Sequence, residues 1–292
     1  MITLFPEPRS SPAVNDPRDA NATITVGSPR ERVRDYVSFS ALSLYQKCSL
    51  RYFFRYVAQL PEESVSASLV FGRAIHRAIE FHFKELLEGK APPDLNAMLA
   101  EFEVGWNETP AEQIAFPKTE TRDSLATLAG RVLVAFRSSD VSVPRGHILG
   151  IEEELRGPII KDAPDLLARL DLLSESEGTL TVTDFKTSKS AWTGDQASDS
   201  AEQLLLYTEL VRQRFPGLSI NLEFIVFTKA KQVVIGRHAV ALDLARVART
   251  KRIAQRVWRA ISDGHFIPSP SPMNCNGCPY REIGRASCRE RV

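Results

Sequence analysis

Residues 166–187 read LLARLDLLSESEGTLTVTDFKT. Two apolar runs, each interrupted by one aspartate, flank the turn signal Glu177-Gly178. This pattern predicts consecutive strands at Leu166–Ser174 and Leu180–Lys186. Another strand precedes them at Ile148–Arg156, closed by Gly157-Pro158. Asp171 and Asp184 are the polar breaks. A carboxylate buried in a strand is costly unless it is paired or binds a metal. Lys186 lies two residues past Asp184 and so shares its face of the strand. Two carboxylates and an ammonium on neighbouring strands can hold a hard cation, Mg2+ or Mn2+. Such an ion neutralises phosphate charge and lowers the pKa of a bound water. Taken alone, an exposed Asp-x-Lys pair at a strand end is common by chance.

Outward from this stretch, a helix is expected over about 200–214. Strands follow at Ile220–Thr228 and Gln232–Ala239, then a helix from the N-cap Asp243 to about Ser262. Upstream, Ser38 or Ser40 can cap a helix running to about Tyr56. Phe71, Ile75, Ile79 and Phe83 recur at helical spacing within Leu69–Glu88, which Gly89 ends. Two more helices are expected near 94–106 and 121–138. The order implies an α/β fold: a central mixed β-sheet flanked by helices, with an N-terminal helical elaboration. Residues 1–35, rich in Pro, Asn, Asp, Ser and Arg, read as a disordered leader.

Bulk composition excludes several classes. The chain has 292 residues, 43% hydrophobic and 25% charged, as a soluble globular protein does. No apolar run is long enough to span a bilayer, and the N-terminus lacks the pattern of a secretory signal. Four cysteines do not make a disulfide framework in this length. A cytoplasmic protein with no membrane partner is expected. No GxxxxGK[ST] occurs, so the chain carries no helicase motor of its own.

Three further residues bear on the aspartates. His76 and Glu80 share one face of the second helix, beside the Ile75/Ile79/Phe83 stripe. An imidazole docked near two carboxylates can be a third metal ligand. A lone histidine of this kind is more often a satisfied boundary residue. Gly72, one turn earlier, permits close backbone approach. Gln203 and Tyr207 form another i, i+4 pair on the helix after the Asp184 strand. They suit hydrogen bonds to phosphate or a base edge, or an ordinary helix-to-sheet contact.

Gly72-x3-His76-x3-Glu80, Asp171, Asp184-Phe185-Lys186-Thr187 and Gln203-x3-Tyr207, in this order, resemble the RecB-like branch of the PD-(D/E)XK nucleases. Ser38-Phe39-Ser40-Ala41-Leu42 and Cys48-x3-Tyr52-x2-Arg55-Tyr56 look like the start of that domain. The resemblance covers about residues 36–281 and implies a restriction-endonuclease-like core. One departure is Ala168, where the family often has Gly. The resemblance implies that His76, Asp171 and Asp184 bind the metal, with the Phe185 carbonyl as a further ligand. It gives Lys186 the attacking water, and Gln203 and Tyr207 the positioning of the DNA strand. It also implies that Cys48, Cys275 and Cys278 are three of four ligands to a [4Fe–4S] cluster fastening the chain ends together. A three-cysteine zinc site and unpaired thiols are the alternatives.

Residues 282–292, EIGRASCRERV, resemble the in-frame translation of a sequencing adapter. On that reading Cys288 is not a cluster ligand, the natural C-terminus is replaced, and the cluster is incomplete in this chain. Without the tail the chain loses three of 37 basic and two of 36 acidic residues, leaving 34 of each. DNA contact must then come from local patches. Candidates are Arg246, Arg249, Lys251, Arg252, Arg256 and Arg259 on the last helix, and Lys47, Arg51 and Arg55 on the first. The implied function is a metal-dependent DNA exonuclease acting on ends or single strands in repair, recombination, or phage- or CRISPR-related processing. Its partners would be DNA and a helicase or another repair or CRISPR protein. The alternative is a non-catalytic module that binds DNA ends within a helicase–nuclease complex.

Overall fold

The computed structural model describes residues 35–289, the last four of them in backbone only. The expected leader and the Cys288 side chain therefore lie outside the described residues. Strand β5 (Asp165–Ser176) organises the sheet. Along one edge, β4 (His147–Gly157) pairs with it antiparallel from Glu175 to Leu166. The other edge is shared. There β1 (Tyr36–Ser38) runs parallel to Asp165–Leu167, and β6 (Thr179–Ser188) antiparallel to Leu172–Ser176. The Glu177-Gly178 turn joining β5 to β6 has positive φ at both residues, 49° and 76°, as a tight hairpin requires. Strand β7 (Ser219–Thr228) is parallel to β6 over all of it, and β8 (Ile235–Val240) closes the sheet antiparallel.

Helices cover both faces, because strand residues alternate in direction. On β7, Phe224 and Val226 enter one core while Ile225 and Phe227 enter the other. The first core is covered by α1 (Phe39–Lys47), α7 (Glu202–Arg214) and α8 (Leu244–Ser262). The second is covered by α3 (Ala67–Leu87), α4 (Leu95–Asn107) and α5 (Arg122–Arg137). Short polar side chains start five of these six helices, two of them, Ser38 and Asp243, at positions the sequence marks. Ser38, Ser66, Asp94, Thr121 and Asp243 each accept a first-turn N–H. The result is the mixed sheet between helical layers that the sequence implies, with α3–α5 as its elaboration.

The departures have physical reasons. The first helix does not run on to Tyr56. It breaks at Cys48 (φ −160°, ψ 103°) and resumes as the four-residue α2 (Ser49–Tyr52) and a π-helical turn, Phe53–Val57. The C-terminal segment supports the break. Ser49 Oγ donates to Ile267 O and accepts from Ile267 N, both at 2.7 Å. Asn274 Nδ2 donates to Lys47 O at 2.9 Å. The helix expected over 200–214 is preceded by a separate one, α6 (Gly194–Asp199), with its own capping box at Thr193 and Gln196. Strand β1 and the two-residue pair β2 (Val65–Ser66) and β3 (Ile114–Ala115) are too short to show alternation in sequence.

His82 of α3 is buried among Phe83 and Phe136, with Nε2 2.8 Å from Ser142 O and Nδ1 without a partner. Burial pushes its pKa down, against the opposing effect of that hydrogen bond. The unfolded chain therefore takes up a proton near pH 6.5 that the folded chain refuses. Stability from this residue is present above that pH and is lost as pH falls below it. We expect the thermal midpoint of the wild type to drop more steeply from pH 7.5 to 5.5 than that of His82→Gln. Parallel slopes in circular-dichroism melts would refute this.

Candidate active site

Strands β5 and β6 pair only as far as Leu172 and Thr183. The next residues are Asp171 and Asp184, and there the strands part. The Phe185 N–H, facing β5, is donated to Asp171 Oδ2 at 2.7 Å instead of to a main-chain carbonyl. A side-chain carboxylate thus replaces a ladder acceptor at the fork. Asp184 is 5% exposed. Lys186 Nζ stands 2.6 Å from Asp184 Oδ2, an ion pair whose angles lie outside those of a hydrogen bond.

Helix α3 crosses this fork. A Cβ on Gly72 would lie 3.3 Å from Thr187 Oγ1, a tight contact, so the glycine lets the helix approach the end of β6 closely. One turn further, His76 Nδ1 is 3.5 Å from Asp171 Oδ2. Its ring also meets the Phe185 ring edge-on at 6.5 Å. The structure thus gathers His76, Asp171, Asp184, Phe185 and Lys186 at one fork.

It also adds Glu152. This residue lies opposite Asp171, between the pairs Ile151–Leu172 and Glu153–Leu170. Its φ is 50°, a left-handed conformation costing a non-glycine residue about 1–2 kcal/mol. His76, Glu152 and Asp171 each offer a ligand atom, and these atoms lie within 4.8 Å of one another. Among the described residues no other such group of three or more occurs, and Asp184 stands just outside it, on the Lys186 side. The sequence hides Glu152 in the run Glu152-Glu153-Glu154. Only the register of β4 on β5 singles it out, and the long connection from β4 to β5 leaves that register open.

The charges show what the site lacks. Burial, then Asp184, pushes Asp171 up to about 8. Burial, then Asp171, pushes Glu152 up to about 7. Burial and Lys186 push His76 down. Burial acts against the Lys186 ammonium, but Asp184 and Asp171 outweigh it and raise the lysine. Crowded carboxylates beside a neutral imidazole are a donor set for a hard divalent ion. Ligands of an octahedral ion at 2.0–2.1 Å stand about 3–4 Å apart, so a small contraction of the 4.8 Å group would seat one. The residues fit such an ion.

Two clefts meet at Lys186. One, of about 690 Å³, holds His76, Glu80, Glu152, Asp171 and Arg169. The other, of about 600 Å³, lies on the far side between α1, α7 and α8 and includes Gln203. Tyr207 opens instead into a smaller recess with Arg55 and Arg169. Gln203 Nε2 donates to Tyr207 Oη at 3.4 Å, and burial pushes that phenol up to about 12.

Cys48, Cys275 and Cys278 line a single cavity of about 750 Å³ beside Phe54 and Tyr280. Of the basic residues on α8, Arg246 is taken up by Ser198 and Glu202, and Lys251 by Glu209. Arg249, Arg252, Arg256 and Arg259 are exposed. On the first helical segment Arg55 pairs with Glu62. No helix among the described residues is long and apolar enough to cross a membrane.

Residues 36–285 match the family model of the PD-(D/E)XK nuclease superfamily. No curated protein sequence matches the chain. Among solved structures it is similar to a protein from Eubacterium rectale provisionally named an exonuclease. That likeness has a TM-score of 0.54 at 13% identity, covering 88% of this chain and 92% of that one. A second structure, SSO0001, aligns over 82% of this chain and 94% of its own at 14% identity, with a TM-score of 0.34.

Removing one of the crowded charges should relieve strain that a cation otherwise relieves. Metal-free Asp171→Asn, which can still accept from Phe185 N–H, should melt about 2–6 °C above the metal-free wild type. Added Mn2+ should raise the wild-type midpoint and leave the variant nearly unmoved. Equal Mn2+ gains in scanning calorimetry would remove Asp171 from the cation site.

Proposed function

This chain belongs to the PD-(D/E)XK nuclease superfamily, and from that premise we propose a Mg2+- or Mn2+-dependent deoxyribonuclease of its RecB-like branch. We assign residues 36–281 to the nuclease domain and read the enzyme as an exonuclease working at DNA ends or on single strands. The observation that carries this is the fork itself: Asp171, Asp184 and Lys186 where β5 and β6 part, with His76 reaching them from α3. His76, Asp171, Asp184 and the Phe185 carbonyl would hold the cation, with Glu152 completing the group. When bound, the ion supplies Lewis-acid polarisation of the phosphate and a more acidic water.

The remaining work falls to the chain. Lys186, held protonated by Asp184 and Asp171, presents a fixed cation to the phosphate and its developing charge. Its 2.6 Å contact with Asp184 keeps it at the fork without satisfying that oxygen's hydrogen-bonding capacity. Gln203, one cleft wall away, would hold the strand.

Wild type with Mn2+ should degrade linear DNA and spare closed circles, read on gels. Asp184→Ala and Lys186→Ala should lose roughly 10²–10³-fold or more in rate. Calorimetry should show Mn2+ affinity weakened in the first and kept in the second. Wild type that binds DNA ends with Mn2+ present yet cleaves none would instead favour the non-catalytic end-binding module.

The cysteine cavity supports a proposal of its own. Cys48, Cys275 and Cys278 surround one space at the junction of the two terminal segments, as an iron–sulfur seat would need. A [4Fe–4S] cluster takes four thiolates, and the described residues supply three. Reconstituted anaerobically with iron, sulfide and an excess of a free thiol as fourth ligand, the protein should hold iron and sulfide, and Cys48→Ser should lose both. Stoichiometric zinc without iron would show a zinc site instead.

A further inference from the structure

Helix α3 forms one wall of the cleft of about 690 Å³ that holds the cation ligands. Its later residues, His76 and Glu80, stand among the carboxylates. Its earlier ones, from Ser68 to Arg73, line the part beside Thr187, and none of them is acidic. The close approach of Gly72 to Thr187 fixes this stretch at the end of β6, one residue past Lys186. Arg73 follows directly.

Four lysine and arginine side chains line the cleft, and three are already matched. Asp184 holds Lys186, Glu101 and Glu108 hold Arg77, and Glu152 and Glu154 hold Arg169. Arg73 is exposed and has no ion-pair partner among the described residues. It stands one turn before His76 on the same face of the helix. Long helical side chains lean back towards the N-terminus, so its guanidinium is offered on the Ser68 side, away from Asp171 and Glu152. That side is rich in donors. Lys229, just past β7, donates to Ser68 Oγ, which leaves the hydroxyl its own proton for a further acceptor. Glu120 and Lys189 act on that ammonium with opposite sign.

We infer that Arg73 is a specificity residue that grips the phosphate next to the scissile one. The inference rests on the nuclease reading for the scissile phosphate, which the cation and Lys186 would share. Along a strand the next phosphate comes one nucleotide later. The planar fork of an arginine matches its two free oxygens, and here no carboxylate competes for that fork. The cleft therefore distinguishes a lone diester from one inside a polynucleotide. Its preferred substrate carries at least one further phosphate beside the bond to be cut.

Thymidine bisphosphate, phosphorylated on both sugar hydroxyls, is the probe. It spaces two phosphates by one nucleoside, serves either strand direction and holds no diester to cleave. In calorimetry with Mn2+, wild type should bind it about 10–100-fold more tightly than either thymidine monophosphate. Arg73→Ala should lose most of that preference, and Arg73→Lys should keep part of it. Alanine suits an exposed position inside a helix, so the fold is kept. Arg131→Ala, an exposed arginine of α5, should keep the preference whole. Three results would overturn the inference: no preference in wild type, a preference that survives Arg73→Ala, or an equal loss in Arg131→Ala. Hydrolysis of bis(p-nitrophenyl) phosphate by wild type with Mn2+ tests the nuclease reading separately, since that diester has a single phosphate. If it fails while the preference depends on Arg73, the seat for two phosphates stands and the nuclease reading falls.

Discussion

The hydrogen bond from Phe185 N–H to Asp171 Oδ2 sets the geometry of this protein's centre. Two antiparallel strands that kept pairing would have carried main-chain carbonyls to that N–H and closed the gap. Here the carboxylate of one strand takes the amide of the other, and the ladder ends without leaving a buried donor unsatisfied. The fork so made has room for Asp184, Lys186 and, from across it, His76. Each neighbouring feature is fitted to it. Gly72 lets α3 come down on Thr187, and Glu152 accepts a left-handed backbone opposite Asp171. The crowding of charge that lifts Asp171 and Glu152 follows from placing them around one gap.

Much of this was legible in the sequence, for an identifiable reason. β5 and β6 are apolar runs broken by single aspartates, and a break in an apolar run stands out. Helix α3 announces itself by its stripe and by Gly89 at its end, and α8 by Asp243 at its start; the cap Ser66 shows only in the structure. Glu152 was not legible, because three successive glutamates look alike until a register chooses one. The halt of the first helix at Cys48 was not legible either. Neither Pro nor Gly marks it, and the groups that support it, Ile267 and Asn274, lie more than 200 positions away. Local pattern shows what a segment prefers, and these two cases were decided by distant partners.

Lys186 occupies an unusual position between two clefts of differing character. One gathers carboxylates around the fork; the other mixes apolar and amide surface with Lys47, Asp199 and Glu202. The alternation of β6 explains how both come to border one residue. Phe185 is turned into the core under α3, while Asp184 and Lys186 face the α7 side at the very edge where the sheet opens. A side chain at an open sheet edge can border both faces, which a residue in mid-sheet cannot.

The contacts joining the first helical segment to the C-terminal region also have a temporal side. Tyr45 bonds His265, Ser49 bonds Ile267, Asn274 bonds Lys47 and Tyr280 bonds Leu60, across separations of about 220 residues. A ribosome adding about 5–20 residues per second needs roughly 10–45 s to make the missing partners. Throughout that interval Ser49 and the Lys47 carbonyl lack these partners. The break at Cys48 is thus an appointment kept late: the first of the described helices to leave the ribosome is among the last to take its final shape.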